Sequence, residues 1–170
     1  MGLPLTTVIV TGVSGAGKST AIRILMGITR CNSGTVELFG EPLRGNLIAA
    51  RQRIGYVAQE QHFYPWMTPL DLARFVRGFY PRWRAQRYRR LLDLFGLPPT
   101  RRIGGFSGGM KAKLALSVAL GTSPELLILD EPTAGMDPVA RREFLALVGA
   151  QAIEQGSAIF FSTHVIGDIE

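Results

Sequence analysis

Gly12-Val13-Ser14-Gly15-Ala16-Gly17-Lys18-Ser19-Thr20 matches the pattern G-x-x-x-x-G-K-[ST] without a gap. Its neighbours give the match physical meaning. Upstream, Thr6 to Val10 (TTVIV) is a β-branched run short enough for a buried strand. Downstream, Ala21, Ile22, Leu25 and Met26 place apolar side chains at helical spacing, with good helix formers between them. The glycines therefore lie between a strand end and a helix start. To hold a phosphate, a backbone has to curl so that several N–H groups point inward, and glycine does this at least cost. The helix start adds unpaired N–H groups and the positive end of its dipole. In such a loop Lys18 reaches the β- and γ-phosphates and the Ser19 hydroxyl binds Mg²⁺. The plainer alternative is a Gly-rich turn capped by Ser19 and Thr20; strand, loop, lysine and helix together favour the phosphate reading.

The chain has 170 residues and 46% hydrophobic content, enough for one domain, or for one core with an inserted subdomain. Cys31 is the single cysteine, so a disulfide framework or a Cys-based zinc site is excluded, which suits the cytosol. No apolar run approaches the ~20 residues that span a bilayer. Residues 1–11 lack the charged start and long apolar middle of a signal peptide. The formal charge is +6, and Arg74, Arg77, Arg82, Arg84, Arg87, Arg89, Arg90, Arg101 and Arg102 cluster within thirty residues. Two readings stand for that cluster: an electrostatic footprint for nucleic acid or an acidic membrane surface, or an exposed helical face rich in arginine.

Further along, Gly34 to Gly40 (GTVELFG) predicts a short alternating strand, and Glu41-Pro42 a loop. A short helix is expected over Asn46 to Arg53, then a buried strand over Ile54 to Ala58 with Gln59 at its carboxyl end. Open α/β sheets bind ligands at the carboxyl ends of their strands. Gln59 is thus placed to touch a metal or a water beside the phosphate.

From Pro65 to Gly105 the character changes. Pro69 to Val76 and Arg84 to Phe95 have helical periodicity and no strand is evident. We read residues 65–105 as a helical subdomain inserted into an α/β core of residues 1–64 and 106–170. Ser107-Gly108-Gly109 precedes a helix over 110–120. Ser107 can cap that helix, and the glycines leave bare N–H groups able to face a second anion; the local residues leave both readings open.

Leu126 to Leu129 then deliver Asp130 and Glu131, two carboxylates at the end of a buried strand. Such burial is costly unless the acids have a task. Beside a phosphate loop, Asp130 helps hold Mg²⁺ and Glu131 polarises the attacking water. Asp137-Pro138 begins a helix over 138–155, and Ile159 to Phe161 form a last strand that delivers Ser162, Thr163 and His164. His164 is placed to hydrogen-bond the γ-phosphate.

GVSGAGKST, Gln59 after a strand, FSGGM, LLILDEP, AGMDP and STH, in that order, resemble the ATP-binding subunit of ATP-binding cassette (ABC) transporters. FSGGM followed by ILDEPTAGMDP is nearly diagnostic. RFVRGFYPRW, GMKAKLAL and DEPTAGMDPVARREF look most like bacterial transporters of the ABC-2 export type. The resemblance runs from about Val8 to the chain end. It implies a P-loop NTPase fold of the RecA-like kind, a mainly parallel sheet flanked by helices with a helical subdomain inserted. It implies an ATPase using ATP and Mg²⁺. Gly12, Ser14, Gly15, Ala16, Gly17, Lys18, Ser19 and Thr20 then belong to the Walker A loop, and Ser19, Gln59 and Asp130 surround the metal. Glu131 is the general base, Gln59 the Q-loop glutamine and His164 the switch histidine. Asp137 lies in the D-loop. Ser107, Gly108 and Gly109 are the signature, which contacts the γ-phosphate of ATP held by a second ATP-binding subunit, most simply another copy. The implied partners are that subunit and an integral membrane permease, with no nucleic acid. The implied location is the cytoplasmic face of a bacterial membrane.

The chain departs from the family at both ends. Eleven residues precede Gly12, none aromatic where the family has an adenine-stacking residue, and six follow His164. The expectation is a chain truncated or divergent at both ends, with exposed sheet edges that favour aggregation. Met110 stands where the signature most often has Gln. Two other functions compete with this one. A gluconate-type small-molecule kinase shares the N-terminal strand and phosphate loop but has no use for FSGGM or AGMDP. A DNA-associated relative would place a long coiled coil between phosphate loop and signature, and no long heptad run exists here.

Overall fold

The structure, a computed structural model, describes residues 7–11, 16–43 and 47–163. In chain order the elements are β1 (Thr7–Thr11), α1 (Lys18–Leu25), β2 (Glu37–Leu38), β3 (Glu41–Pro42), α2 (Leu47–Arg51) and β4 (Ile54–Val57). Then come α3 (Pro69–Val76), α4 (Ala85–Leu94), a 3₁₀ turn (Ile103–Gly105), α5 (Gly108–Gly121), β5 (Leu126–Asp130), α6 (Pro138–Gln155) and β6 (Ala158–Thr163). The main sheet has the order β1-β6-β5-β4, every neighbouring pair parallel. Parallel strands need crossovers that cover both faces, so their side chains are apolar on both sides. β5 illustrates this. Leu127 and Leu129 pack with α5, α6 and the helical region, while Ile128 packs on the opposite face with Ile22 of α1 and Ile54 of β4. On β6, Ile159 and Phe161 join the first cluster and Phe160 the second.

α5 runs close against β4, and Gly55 is what lets it. A Cβ at that position would lie 2.9 Å from the Ala119 carbonyl oxygen and 3.1 Å from Pro124 Cγ. The expected helix over 110–120 starts earlier, at Gly108. Ser107 Oγ accepts from the Met110 N–H at 3.2 Å, which pins the first turn there. α5 is also buried over much of its circumference, including Ala112, Leu114, Leu116, Ser117, Ala119 and Leu120, because it sits between the sheet and the helices α3 and α4.

The expected strand over residues 34–40 is cut to Glu37–Leu38, and Glu41–Pro42, expected as a loop, is its antiparallel partner. The cause is a two-residue turn at Phe39 (φ 56) and Gly40 (φ 79), both left-handed, which is the conformation that closes a tight hairpin. Pro42 is tolerated because a strand of two residues has a free edge. The short helix expected over Asn46 to Arg53 is confined to Leu47–Arg51; Asn46 lies outside the described residues.

Residues 65–105 hold α3, α4 and the 3₁₀ turn, with no strand. α3 opens with a reciprocal cap. Thr68 Oγ1 accepts from the Asp71 N–H at 3.2 Å and Asp71 Oδ2 accepts from the Thr68 N–H at 3.1 Å. The buried Tyr88 hydroxyl of α4 donates to the Pro69 carbonyl at 2.9 Å and ties the two helices together. Leu72, Tyr88, Leu91 and Leu92 belong to the same apolar cluster as Leu114, Leu127 and Phe161, so this region shares its core with the sheet.

Glu125, just before β5, joins three parts of the fold. Arg53 donates to it from Nε at 3.0 Å and from Nη2 at 2.6 Å, and Arg82 from Nη1 at 2.5 Å. The Arg53 guanidinium also lies 3.8 Å above the Phe39 ring of the hairpin. The Arg53 hydrogen bonds, and after them those of Arg82, hold the Glu125 carboxyl below its ordinary value of 4.5.

Two outcomes follow for stability. Gly55→Ala forces α5 off β4 and is expected to cost ~1–3 kcal/mol in a urea titration, the usual range for overpacking; an unchanged midpoint removes the close approach. Glu125→Gln is expected to cost ~1 kcal/mol at neutral pH, because the site is partly solvated. A carboxylate whose folded pKa is depressed stabilises fully above its unfolded value and loses that contribution as pH falls through the folded one. The difference between Glu125→Gln and the parent is therefore expected to shrink on acidification below the ordinary value of 4.5. A pH-independent difference in melting temperature contradicts this.

Candidate functional site

Because the strands are parallel, their carboxyl ends share one edge of the sheet, and the motif residues gather there. β5 ends at Asp130, with Glu131 next; Gln59 lies two residues beyond β4; α1 begins at Lys18. The turn into α1 passes through Gly17 at φ 85, a left-handed conformation that residues with a Cβ adopt at a cost. Lys18 follows with a buried side chain, and its Nζ lies 3.4 Å from Glu131 Oε1. Gln59 Nε2 donates to the other carboxylate oxygen, Oε2, at 3.3 Å. Ser19 Oγ donates to Asp130 Oδ1 at 3.4 Å.

Ser162, to which the sequence motifs assign no role, takes part as well. Ser162 pairs with Asp130 in the sheet register. Its fully buried hydroxyl donates to Asp130 Oδ1 at 2.7 Å and accepts from the Glu131 N–H at 3.0 Å. The same N–H lies 3.1 Å from the Ser162 carbonyl oxygen. These bonds hold Glu131 at φ 44, unusual for a residue with a side chain of this size. The signal was present in the sequence: a serine ending an otherwise apolar strand needs a polar partner, and the neighbouring strand ends in an acid.

Of the other expected residues, Ala16, Gly17 and Thr20 are exposed around the start of α1. Ser107 and Gly108 are exposed at the start of α5, and a Cβ at Gly108 or Gly109 would meet nothing within 4 Å. Asp137 is exposed and caps α6, its Oδ1 accepting from the Val139 and Ala140 N–H groups, both at 3.0 Å. Those two N–H groups hold its carboxyl below the ordinary range. Gly12, Ser14, Gly15 and His164 lie outside the described residues.

The chemistry of this group is two-sided. Lys18 at a helix N-terminus suits an anion with several oxygens. A hydroxyl and a carboxylate, Ser19 and Asp130, with the Gln59 amide nearby, form an oxygen-only set of the kind a hard cation such as Mg²⁺ accepts. Burial, and next the Asp130 charge, push the Tyr56 phenol up, a sign that the carboxylate is felt across the sheet edge.

Comparison with known proteins bears on the family of the chain. The family model described as ABC transporter matches residues 4–134. The chain is similar to the uncharacterized ABC transporter ATP-binding protein YxlF of Bacillus subtilis, with 38% identity over 164 residues, 94% of this chain and 53% of the relative. It is also similar to the bacitracin transport ATP-binding protein BcrA of Bacillus licheniformis, with 36% identity over 161 residues, 94% of this chain and 53% of the relative. A solved structure described as the ATP-binding subunit of an ABC transporter superposes with a TM-score of 0.80 at 28% identity, over 96% of this chain and 69% of that one. The chain spans about half the length of the curated relatives it matches. The kinase reading gains nothing from these relatives. A P-loop NTPase sheet, a lysine and two acids meeting at its carboxyl edge, and a family model spanning most of the chain lead to one placement: the chain belongs to the ABC transporter family, as an ATP-binding domain.

Proposed function

We propose that the chain is the ATP-hydrolysing unit of a bacterial ABC exporter, working as a pair of ATP-binding subunits beneath a membrane permease. The observation that carries the enzymatic part is the Lys18–Glu131–Gln59 group beside Ser19 and Asp130 at one sheet edge. The export part is supported by relatives named for bacitracin transport and for linearmycin resistance. No helix among the described residues is long and apolar enough to cross a membrane, so a permease would supply the pathway. The peripheral, cytoplasmic-face location belongs to the same proposal. So does the division into an α/β part, 1–64 and 106–170, and a helical subdomain, 65–105.

In this reading the loop from Gly12 through Ser14, Gly15, Ala16 and Gly17 to Thr20 wraps the phosphates of the substrate ATP. Lys18 exchanges its Glu131 carboxylate for the β- and γ-phosphate oxygens. That exchange frees Glu131, which takes the proton from a water as its oxygen bonds to the γ-phosphorus and ADP leaves. Gln59 orients that water, and His164 contacts the γ-phosphate. Ser19, Asp130 and Gln59 would hold Mg²⁺, which when bound offsets phosphate charge. Ser162 fixes Asp130 and the Glu131 backbone. Ser107 and Gly108 are exposed and Gly109 half-buried beside them, so this turn is available to ATP held by a second subunit.

Two variants test the assignment. Lys18→Ala is expected to abolish binding of a fluorescent ATP analogue; unchanged affinity removes Lys18 from the site. Glu131→Gln is expected to slow phosphate release by ~10²–10⁴, the usual worth of a general base, while ATP still binds. Wild-type turnover in that variant assigns the base to another group, and stoichiometric transfer of phosphate to a sugar acid overturns the ATPase reading altogether.

A further inference from the structure

We propose that the helical region between β4 and α5 carries a binding surface for anionic phospholipid, with the cleft between α3 and α4 seating headgroup phosphate. The idea deepens the transporter reading and rests on it for one premise, that a membrane is at hand. Charge is segregated along this chain. Residues 65–105 hold nine arginines against two acids, Asp71 and Asp93, a formal +7, whereas the whole chain carries +6. The segment has no lysine. Guanidinium groups pair with phosphate oxygens two at a time and shed water more readily than ammonium groups, which favours phosphate over other anions.

Three of these arginines converge from both helices. Arg74 and Arg77 from α3 and its end, and Arg89 from α4, line a cleft of about 170 Å³ with Trp83 and Tyr88. Asp71 holds Arg74 at 2.9 Å; Arg77 and Arg89 form no ion pair among the described residues. Each of the two α3-side arginines has an exposed aromatic close by in the chain. Phe75 and Phe79 are 50% and 60% exposed, and their rings touch at 5.3 Å between centroids. Phosphate-binding cations beside an exposed apolar pair are what a headgroup layer over acyl chains complements. A nucleic-acid duplex offers the phosphate but no apolar layer for the phenylalanines.

The test uses the purified 170-residue chain, without nucleotide or permease, floated with vesicles at about 0.15 M salt. The vesicles are phosphatidylcholine alone, or phosphatidylcholine with about 30% phosphatidylglycerol. Binding only to the anionic vesicles is expected. An arginine near an anionic surface contributes about fivefold, so the triple variant Arg74→Gln/Arg77→Gln/Arg89→Gln is expected to lose ~100-fold in partition. Arg77→Gln alone, at an exposed position, is expected to lose about fivefold and guards against misfolding of the triple. The control Arg23→Gln/Arg30→Gln/Arg142→Gln removes equal charge elsewhere and is expected to bind almost as the parent. Phe75→Ser/Phe79→Ser is expected to weaken vesicle binding and leave any duplex DNA binding unchanged. Equal binding to neutral vesicles, no binding to either, or equal losses in the two triple variants overturns the proposal. So does tighter binding to duplex DNA with the phenylalanine variant behaving as the parent on vesicles. Because no ATP is present, a chain that fails to hydrolyse ATP can still pass this test, and an active one can fail it.

Discussion

A carboxylate buried at the end of a strand has lost its water and has to be met by donors. Asp130 is met by the hydroxyl of Ser162 at 2.7 Å and, less closely, by Ser19 at 3.4 Å. The closer donor depends on the parallel sheet: β6 has to lie beside β5 in the register that opposes Ser162 to Asp130. A slip of one residue would turn Ser162 to the other face and leave the acid without its closer donor. The same serine receives the Glu131 N–H, so one side chain both neutralises the cost of burying Asp130 and bends the chain after it. A left-handed non-glycine residue costs ~1–3 kcal/mol and persists where its surroundings over-determine it. Here two acceptors of one residue, Oγ at 3.0 Å and the carbonyl at 3.1 Å, fix the Glu131 amide. The bend is what aims Glu131 back at Lys18 instead of onward along the strand.

That geometry gives the site a built-in competitor. Lys18 is buried, and a buried ammonium needs an anion. Glu131 serves at 3.4 Å, and Gln59 steadies its second oxygen at 3.3 Å. A phosphate entering the loop would satisfy the same ammonium with more oxygens, and the carboxylate would be released. In the proposed reaction this couples two events that need coupling: the base becomes available only when there is something to hydrolyse.

How far the sequence revealed this depends on what set each feature. Residues whose spacing is dictated by phosphate chemistry were legible: Lys18 and Ser19 follow their glycines at fixed intervals, and Asp130 and Glu131 follow four aliphatic residues. Most core elements were legible too, because Leu126 to Leu129 or Leu91 and Leu92 have no reading other than burial. The hairpin at Phe39 and Gly40 was not, since nothing local announces a left-handed phenylalanine; its ring is held under Arg53, fourteen positions along the chain. Nor was the role of Ser162, which exists only through a pairing of strands 32 residues apart. The helical region is marked in the sequence by its lack of strands, which says nothing of what it packs on. In three dimensions Tyr88 and Leu92 bury against the same cluster as the sheet, and α5 is the common wall.

The electrostatics of the chain divide along the same wall. At the sheet edge the ionic groups of the proposed site are met locally, the Lys18 ammonium by the Glu131 carboxylate and the Asp130 carboxylate by the hydroxyls of Ser162 and Ser19. Across α5, arginines outnumber acids by nine to two, and their fields extend into solvent for about one Debye length, ~8 Å at physiological salt. They can bias what the outer face meets. A guanidinium stays protonated throughout the physiological range, so that bias does not switch with pH.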